Sequence, residues 1–422
     1  MNFKKQTLKN GLTVITIPIK DSLSVTALVM VHTGSKYETR EINGLSHFLE
    51  HMCFKGTVKR PRAIDIATEL DSIGSLSNAF TSQEFTGYYA KAHPKHLDKI
   101  LDVVSDIYSN SIFDQSEIEK EKGVIIGEIN MYEDIPQHVV HAEFMKLLYG
   151  DQPAGWHIIG PKENILRMTQ KDFLDYRKQH YVASATTVIV SGNFEETSIL
   201  PKIEKLFEGI PQDAKEGKIK TLEDQTAPQI KIKEKETDQT HIIAGVRTFD
   251  SKDKRQTVLK VLSVVLGGGM SSRLFQKLRD EMGMGYYVKA GIDEFTDHGY
   301  LAVFTGVDNA RIKEAVEAVL GELKKLTLEL VPELELQKAK DYLVGNMYMG
   351  LESSDALAEY YAIQDILSDE LVSPDELAKK IQAVTAKDIQ DVSKHIFIDA
   401  GLNMAIVGKV VDKAEIENIF HF

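Results

Sequence analysis

Apolar residues recur along this chain with two periods, every second position in short runs and every third or fourth in longer ones, and the order of these segments occurs twice. In the first half the alternation predicts a strand within Gly11–Ile19 (GLTVITIPI) and another over Val25–His32. Helical spacing follows around residues 45–52 and over Pro61–Ile73. Strands are then expected at Ser77–Phe80 and Phe85–Ala92, and helices over Pro94–Tyr108 and Ser116–Glu133. The second half predicts a strand at His241–Val246 and a helix over Lys254–Leu266. A Gly267-Gly268-Gly269 turn, a helix over Ser271–Met282, strands at Tyr286–Ile292 and Tyr300–Val307, and helices over Ala310–Leu326 and Pro332–Met349 complete it. Each half closes with a similar strand, Thr187–Gly192 (TVIVSG) and Asn403–Gly408 (NMAIVG). The pattern is that of an internally duplicated α+β chain, with one domain over residues 1–215 and its homologue over 222–422. The joint is the charged, strand-poor stretch Gln212–Thr221.

Composition narrows the function classes. The chain has 422 residues, of which 43% are hydrophobic and 27% charged, which is ordinary for a globular protein of more than one domain. A formal net charge of −13 with no basic tract argues against nucleic acid. No apolar stretch is long enough for a membrane span. Cys53 is the single cysteine, which excludes an internal disulfide framework and makes a cytoplasmic location the expectation.

Within this frame one pentapeptide carries chemistry. At 100° per residue, Leu45, Phe48, Leu49 and Met52 gather on one side of the first helix, and His47, Glu50 and His51 on the other. Two neutral imidazoles at i and i+4 can share a tetrahedral zinc, with a third protein ligand from elsewhere and a fourth position for water. Glu50 precedes the second histidine, the reverse of the thermolysin order, and can serve as general base toward water. The second half has no such motif on its first helix. One half is therefore expected to hold metal and the other to shape substrate.

The third ligand is expected on the helix beginning at Ser116, where Ser116 and Glu119 form a capping-box pattern. Glu121, Ile125, Glu128 and Tyr132 fall on one stripe, so two carboxylates share a face with apolar side chains and need a cationic partner. The repeat aligns Gly127-Glu128 with Gly345-Asn346, a neutral residue in the half without histidines. Glu128 is accordingly expected as ligand, and Glu121 as a residue that orients a ligand. His138 and His141 read as surface residues, and Trp156 and His157 receive no role.

Several further segments match a known family: HFLEHMCFKGT, Ser77-Asn78-Ala79-Phe80-Thr81-Ser82-Gln83-Glu84, EKGVIIGEI and GGGMSSRLFQKLRDEMGMGYYV. Through them the chain resembles the pitrilysin/insulinase/mitochondrial processing peptidase family over nearly its whole length. The resemblance implies two homologous two-layer α/β domains, each a mixed sheet packed by helices, closing into a clamshell chamber. It implies one zinc held by His47, His51 and Glu128, with Glu50 as base and Glu121 as an additional acidic residue of the catalytic set. It also implies that Arg279 and Tyr286 hold substrate, and that Asn78 and Ala79 lie on an edge strand that pairs with the substrate backbone. Met282-Gly283-Met284-Gly285 departs from the residues common in that segment, leaving Arg279 and Tyr286 in place. A member this short requires a second chain to complete the chamber, and a homodimer is expected, with a heterodimer of homologous subunits as the alternative. The function expected is zinc-dependent endopeptidase action on extended peptides. The alternatives are a catalytically silent processing or scaffold subunit and a peptide-binding clamshell of the same fold.

Overall fold

In the computed structural model, which describes residues 3–410 and 413–422, six strands form one sheet in the order β1-β2-β6-β3-β5-β4. They are β1 (Lys4–Thr7), β2 (Thr13–Pro18), β3 (Val25–Val31), β4 (Leu76–Thr81), β5 (Thr86–Ala92) and β6 (Thr186–Gly192). The two strands buried at every position, β3 and β6, lie side by side in the middle, as continuous apolar runs require. β1 is exposed throughout and β4 over its first half, and these two form the edges. β2 and β6 pair in parallel and the other neighbours antiparallel, which makes the sheet mixed. Three helices matter for the site in this unit: α1 (Leu45–Cys53), α2 (Leu97–Ser109) and α3 (Gln115–Asp134). α1 buries Leu45, Phe48, Leu49 and Met52, the face predicted from spacing. Cys53 is also buried.

The second sheet has the order β7-β11-β8-β10-β9, built from β7 (Gln229–Glu234), β8 (Thr240–Arg247), β9 (Gly285–Glu294), β10 (Gly299–Val307) and β11 (Leu402–Gly408). Leaving out β1, each strand has a counterpart in the first sheet, including the parallel pair, here β7 with β11. The duplication expected from the sequence is thus present in the strand order itself. Helix α4 (Pro136–Tyr149) packs on this sheet through Val140, Phe144 and Leu148 against Ile243, Ala302 and Val407. α5 (Gln256–Gly267) and α6 (Ile312–Leu328) join a separate cluster with Val246, Leu301 and Met404.

The compact units do not follow the chain halves. One comprises residues up to Ile129, Trp156–Ile219 and Met349–Ser373; the other comprises Asn130–Gly155, Lys220–Tyr348 and Pro374–Phe422. Each half therefore lends a helix to the sheet of the other. α4, from the first half, serves the second sheet as described. α7 (Ser354–Leu367), from the second half, lays Leu357, Ala358, Tyr361 and Ala362 against Ile15, Ile17, Leu28, Met30 and Ile189 of the first. The contiguous boundaries 1–215 and 222–422 mark where the repeat divides, whereas burial divides the chain differently. Those apolar strand faces are covered by a helix that lies far away in sequence, and covering a Leu or Ile side chain is worth about 1.5–3 kcal/mol.

The helices at Pro136–Tyr149 and Ser354–Leu367 and the strands β1 and β7 are not among the expectations, and three stated expectations are altered. α3 starts one residue earlier than predicted, because Asp114 is the cap: its Oδ1 accepts from Ser116 N at 2.8 Å, Ser116 Oγ at 2.5 Å and Glu117 N at 3.2 Å. The helix expected over Ser271–Met282 is a short α-turn at Arg273–Phe275 that widens into a π-helical turn at Gln276–Glu281. His141 is half-buried rather than a free surface residue, with Nε2 3.4 Å from Tyr300 Oη.

Candidate metal centre

Helix α1 starts abruptly, and the residues that start it lie outside it. Gly44 precedes its first turn at φ 104°, where a Cβ would come within 2.6 Å of Ile159 O, so only glycine fits this entry. The exposed N–H groups of that turn are met by the buried carboxylate of Glu38. Its Oε2 accepts from Gly44 N at 2.8 Å and Asn43 Nδ2 at 2.9 Å, and its Oε1 accepts from Ser46 N at 2.6 Å. Burial nonetheless pushes the Glu38 carboxyl up to about 7, against these donors. Asn43 Nδ2 also donates to His157 O at 3.2 Å, which ties the His157 segment to the start of α1.

With the apolar side of α1 fixed, its polar side faces α3. His47 Nε2 lies 3.7 Å from Glu128 Oε2, and His51 Nε2 lies 3.8 Å from the same oxygen. The three ligand atoms are all within 4.8 Å of one another. Donors bound to one tetrahedral zinc at ~2.0–2.1 Å stand roughly 3.4 Å apart, so this trio is close to zinc-sized and too wide for direct hydrogen bonds. Burial drives His47 down to about 3, which keeps its ring neutral and a lone pair available. The donor set of two imidazoles and a carboxylate therefore suits zinc with an open position.

Behind the trio is a hydrogen-bonded chain. His51 Nδ1 and Glu121 Oε1 are 2.9 Å apart, and Glu121 Oε2 pairs with Lys55 Nζ at 2.6 Å. Glu121 is almost fully covered, which would raise its pKa, but its bonds to His51 and Lys55 hold the carboxyl below the ordinary value. Burial would lower His51, and the Glu121 bond and charge outweigh it and raise the imidazole. A carboxylate on Nδ1 fixes the tautomer and leaves Nε2 for metal. Glu121 is thus the hydrogen-bond partner of the His51 ring.

Glu50 lies on the same side of α1, with one carboxylate oxygen, Oε2, accepting from Thr81 Oγ1 at 2.5 Å. Burial raises its pKa, opposed by that hydroxyl. Thr81 ends β4, the strand of Asn78 and Ala79. Asn78 is exposed, Ala79 is 9% exposed, and among the described residues β4 pairs with β5 alone, which leaves its other edge without a strand partner. Sequence reasoning missed Glu38, Lys55 and Thr81. Lys55 lies inside the quoted HFLEHMCFKGT segment at i+4 from His51, a spacing that could have singled it out.

Arg279 and Tyr286 belong to the second unit. Arg279 is on the π-helical turn, exposed, with its guanidinium 5.0 Å from the Phe275 ring centre. Tyr286 is on the edge strand β9 and 59% exposed. Both side chains are open to a ligand, and π-turns recur at functional sites.

Comparison with known proteins covers both halves. The family model described as insulinase, peptidase family M16, matches residues 13–162, and that of the peptidase M16 inactive domain matches 167–343. An "uncharacterized zinc protease YmxG" of Bacillus subtilis is 34% identical, the match covering 94% of this chain and 96% of that protein. An "uncharacterized zinc protease" of Rickettsia felis is also 34% identical, over 94% and 95%. Among solved structures, a protease from Helicobacter pylori superposes with a TM-score of 0.89 at 24% identity, covering 97% of this chain and 99% of that one, and shares the fold. A peptidase M16 inactive domain from Pseudomonas fluorescens gives 0.90 at 15% identity over the same shares. With a matching family model on each side of the repeat, this chain belongs to the insulinase family of peptidases, M16.

Proposed function

We propose that the chain is a zinc-dependent endopeptidase that cuts extended or unstructured peptides, with His47, His51 and Glu128 holding one zinc per chain. The observation that carries this reading is the trio of ligand atoms with Glu50 on the same helix face and the open edge of β4 tied to it through Thr81. When bound, zinc supplies Lewis acidity, polarising a carbonyl and acidifying water. Glu50 takes the proton of the attacking water and delivers it to the leaving amine, so one carboxylate serves as base and then as acid. Glu121 holds the His51 ring in register, and Lys55 holds Glu121. Asn78 and Ala79 take the substrate backbone as an added strand, giving affinity with little demand on side-chain sequence. Arg279 and Tyr286 donate to substrate carbonyl and developing oxyanion, the roles their exposed donors suit.

The same proposal includes a homodimer that completes a closed chamber, since one chain carries both the metal residues and the Arg279 and Tyr286 pair. No helix among the described residues is long and apolar enough to cross a membrane, and the lone cysteine accords with a reducing, cytoplasmic setting. The test is hydrolysis of a mixed set of unstructured peptides by zinc-loaded protein beside Glu50→Gln and a chelator control. Cleavage by the wild type alone is expected. Silence of a stoichiometrically zinc-loaded wild type would instead mark a scaffold subunit.

A further inference from the structure

The base in this site is a glutamate with three rotatable side-chain bonds, and catalysis needs it in one place. Among the described residues its carboxylate has a single hydrogen-bond partner, the hydroxyl of Thr81 at 2.5 Å from Oε2, leaving Oε1 without a donor. That hydroxyl is unusually well anchored. Thr81 pairs with Thr86 across the β4–β5 hairpin, whose turn is closed by Ser82 N donating to Phe85 O at 2.8 Å. Thr86 Oγ1 donates to Thr33 O at 3.0 Å, and Ser35 N and Lys36 N donate to Ser82 O and Gln83 O at 3.2 and 2.8 Å. The backbone at Gly34 approaches this turn so closely that a Cβ there would lie 2.1 Å from Ser82 O. The hairpin end is therefore fixed by bonds independent of Glu50, and a β-branched side chain on it has few rotamers.

We propose that Thr81 is the positioning residue of the base, using its hydroxyl to hold one Glu50 oxygen so that the other faces the reacting water. This rests on the peptidase reading above and extends it. Thr81 lies on the strand that also carries Asn78 and Ala79, so β4 serves both base and substrate: the edge that sets the register of the bound peptide also sets the position of the group that deprotonates water. A rigid common frame of this kind limits misalignment between base and scissile bond, where about 1 Å costs on the order of 10²-fold in rate.

The test uses the full-length zinc-loaded protein and the variants Thr81→Val, isosteric without the hydroxyl, Thr81→Ser, which keeps it, and Thr81→Ala as a second deletion. Three quantities are measured: kcat and KM on an unstructured fluorogenic peptide, zinc affinity by chelator competition, and the Glu50 rotamer in crystals. Valine and alanine are expected to lower kcat about 10- to 100-fold, with KM and zinc affinity within about threefold, and to leave Glu50 in several rotamers. Serine is expected to restore kcat to within about threefold and a single rotamer. The proposal is overturned if serine is as impaired as valine, if valine keeps wild-type kcat, or if Glu50 stays in one rotamer without the hydroxyl. A zinc-loaded wild type that cleaves nothing would defeat the peptidase reading instead, and the rotamer comparison would still decide the role of Thr81.

Discussion

Lys55 is the residue whose removal separates positioning from ligation. It touches no ligand atom, yet its ammonium pairs with Glu121, which holds His51. Lys55→Met is expected to weaken zinc binding about tenfold, the lower end of what loss of such outer partners costs. Competition against a chromophoric chelator checks it, and an unchanged affinity would show that Glu121 needs no counter-ion. Arg60, also in the segment that follows α1, governs stability rather than binding. Only 2% exposed, it bonds Asp106 at 2.7 Å, Asp102 at 2.6 Å and Glu69 at 2.9 Å. Arg60→Leu leaves Asp106, itself 5% exposed, without its cation and is expected to cost about 3–5 kcal/mol in urea unfolding. The i+4 spacing from His51 pointed to Lys55, but the carboxylate partners of both residues were not legible in the sequence. A lysine or arginine after a helix reads as a solvated charge until the carboxylates that surround it are brought from residues 69, 102, 106 and 121 by folding.

At the scale of elements, α7 is held to the first sheet by an apolar face and by one buried charge. Asp365 bonds Lys5 Nζ at 2.6 Å and accepts from Thr187 Oγ1 at 2.6 Å, with His32 Nε2 3.6 Å away. Burial would raise this carboxyl, but its His32, Lys5 and Thr187 partners prevail and hold it well below the usual range. A depressed folded value means that the native state keeps the charge when the unfolded chain, titrating near ~3.9, has taken a proton. The stabilisation is therefore complete above that value and drains away as pH falls below it. Asp365→Asn is expected to cost about 3 kcal/mol at pH 7, and its Tm deficit should narrow steadily below about pH 4. Calorimetry at stepped pH reads this directly, and a deficit that stays constant would assign the effect to geometry rather than charge. The α7 segment is assigned no element from the sequence, and nothing local marks which sheet it covers.

For the whole molecule, the reciprocal loan of α4 and α7 makes a prediction about truncation. A fragment of residues 1–215, which contains the entire first repeat and His47, His51 and Glu128, lacks the helix that covers Ile15, Ile17, Leu28, Met30 and Ile189. It is expected to bind a hydrophobic dye and to be digested rapidly by added protease. Supplying residues 349–373 as a peptide should restore resistance. If the fragment is compact by itself, the loaned helix is dispensable and the repeat boundary is also a folding boundary.

Taken along the chain alone, periodicity determined most strands and about half of the helices, the duplication and the two faces of α1, because each depends on neighbours within a few residues. Spacing also singled out His47, Glu50 and His51 on one helix turn, and the repeat drew attention to Glu128 by contrast with Asn346. Only tertiary structure decided the rest. It brought Glu128 to 3.7 Å from His47, paired Glu121 with His51, set Thr81 against Glu50 and gave Glu38 the start of α1 to cap. It also assigned α4 and α7 to sheets outside their own repeats. Apart from the Glu38 cap, whose donors lie 6 to 8 positions away, these are contacts between residues tens to hundreds of positions apart. Their energy comes from desolvation and pairing that exist only after folding, so local sequence pattern carries no record of them.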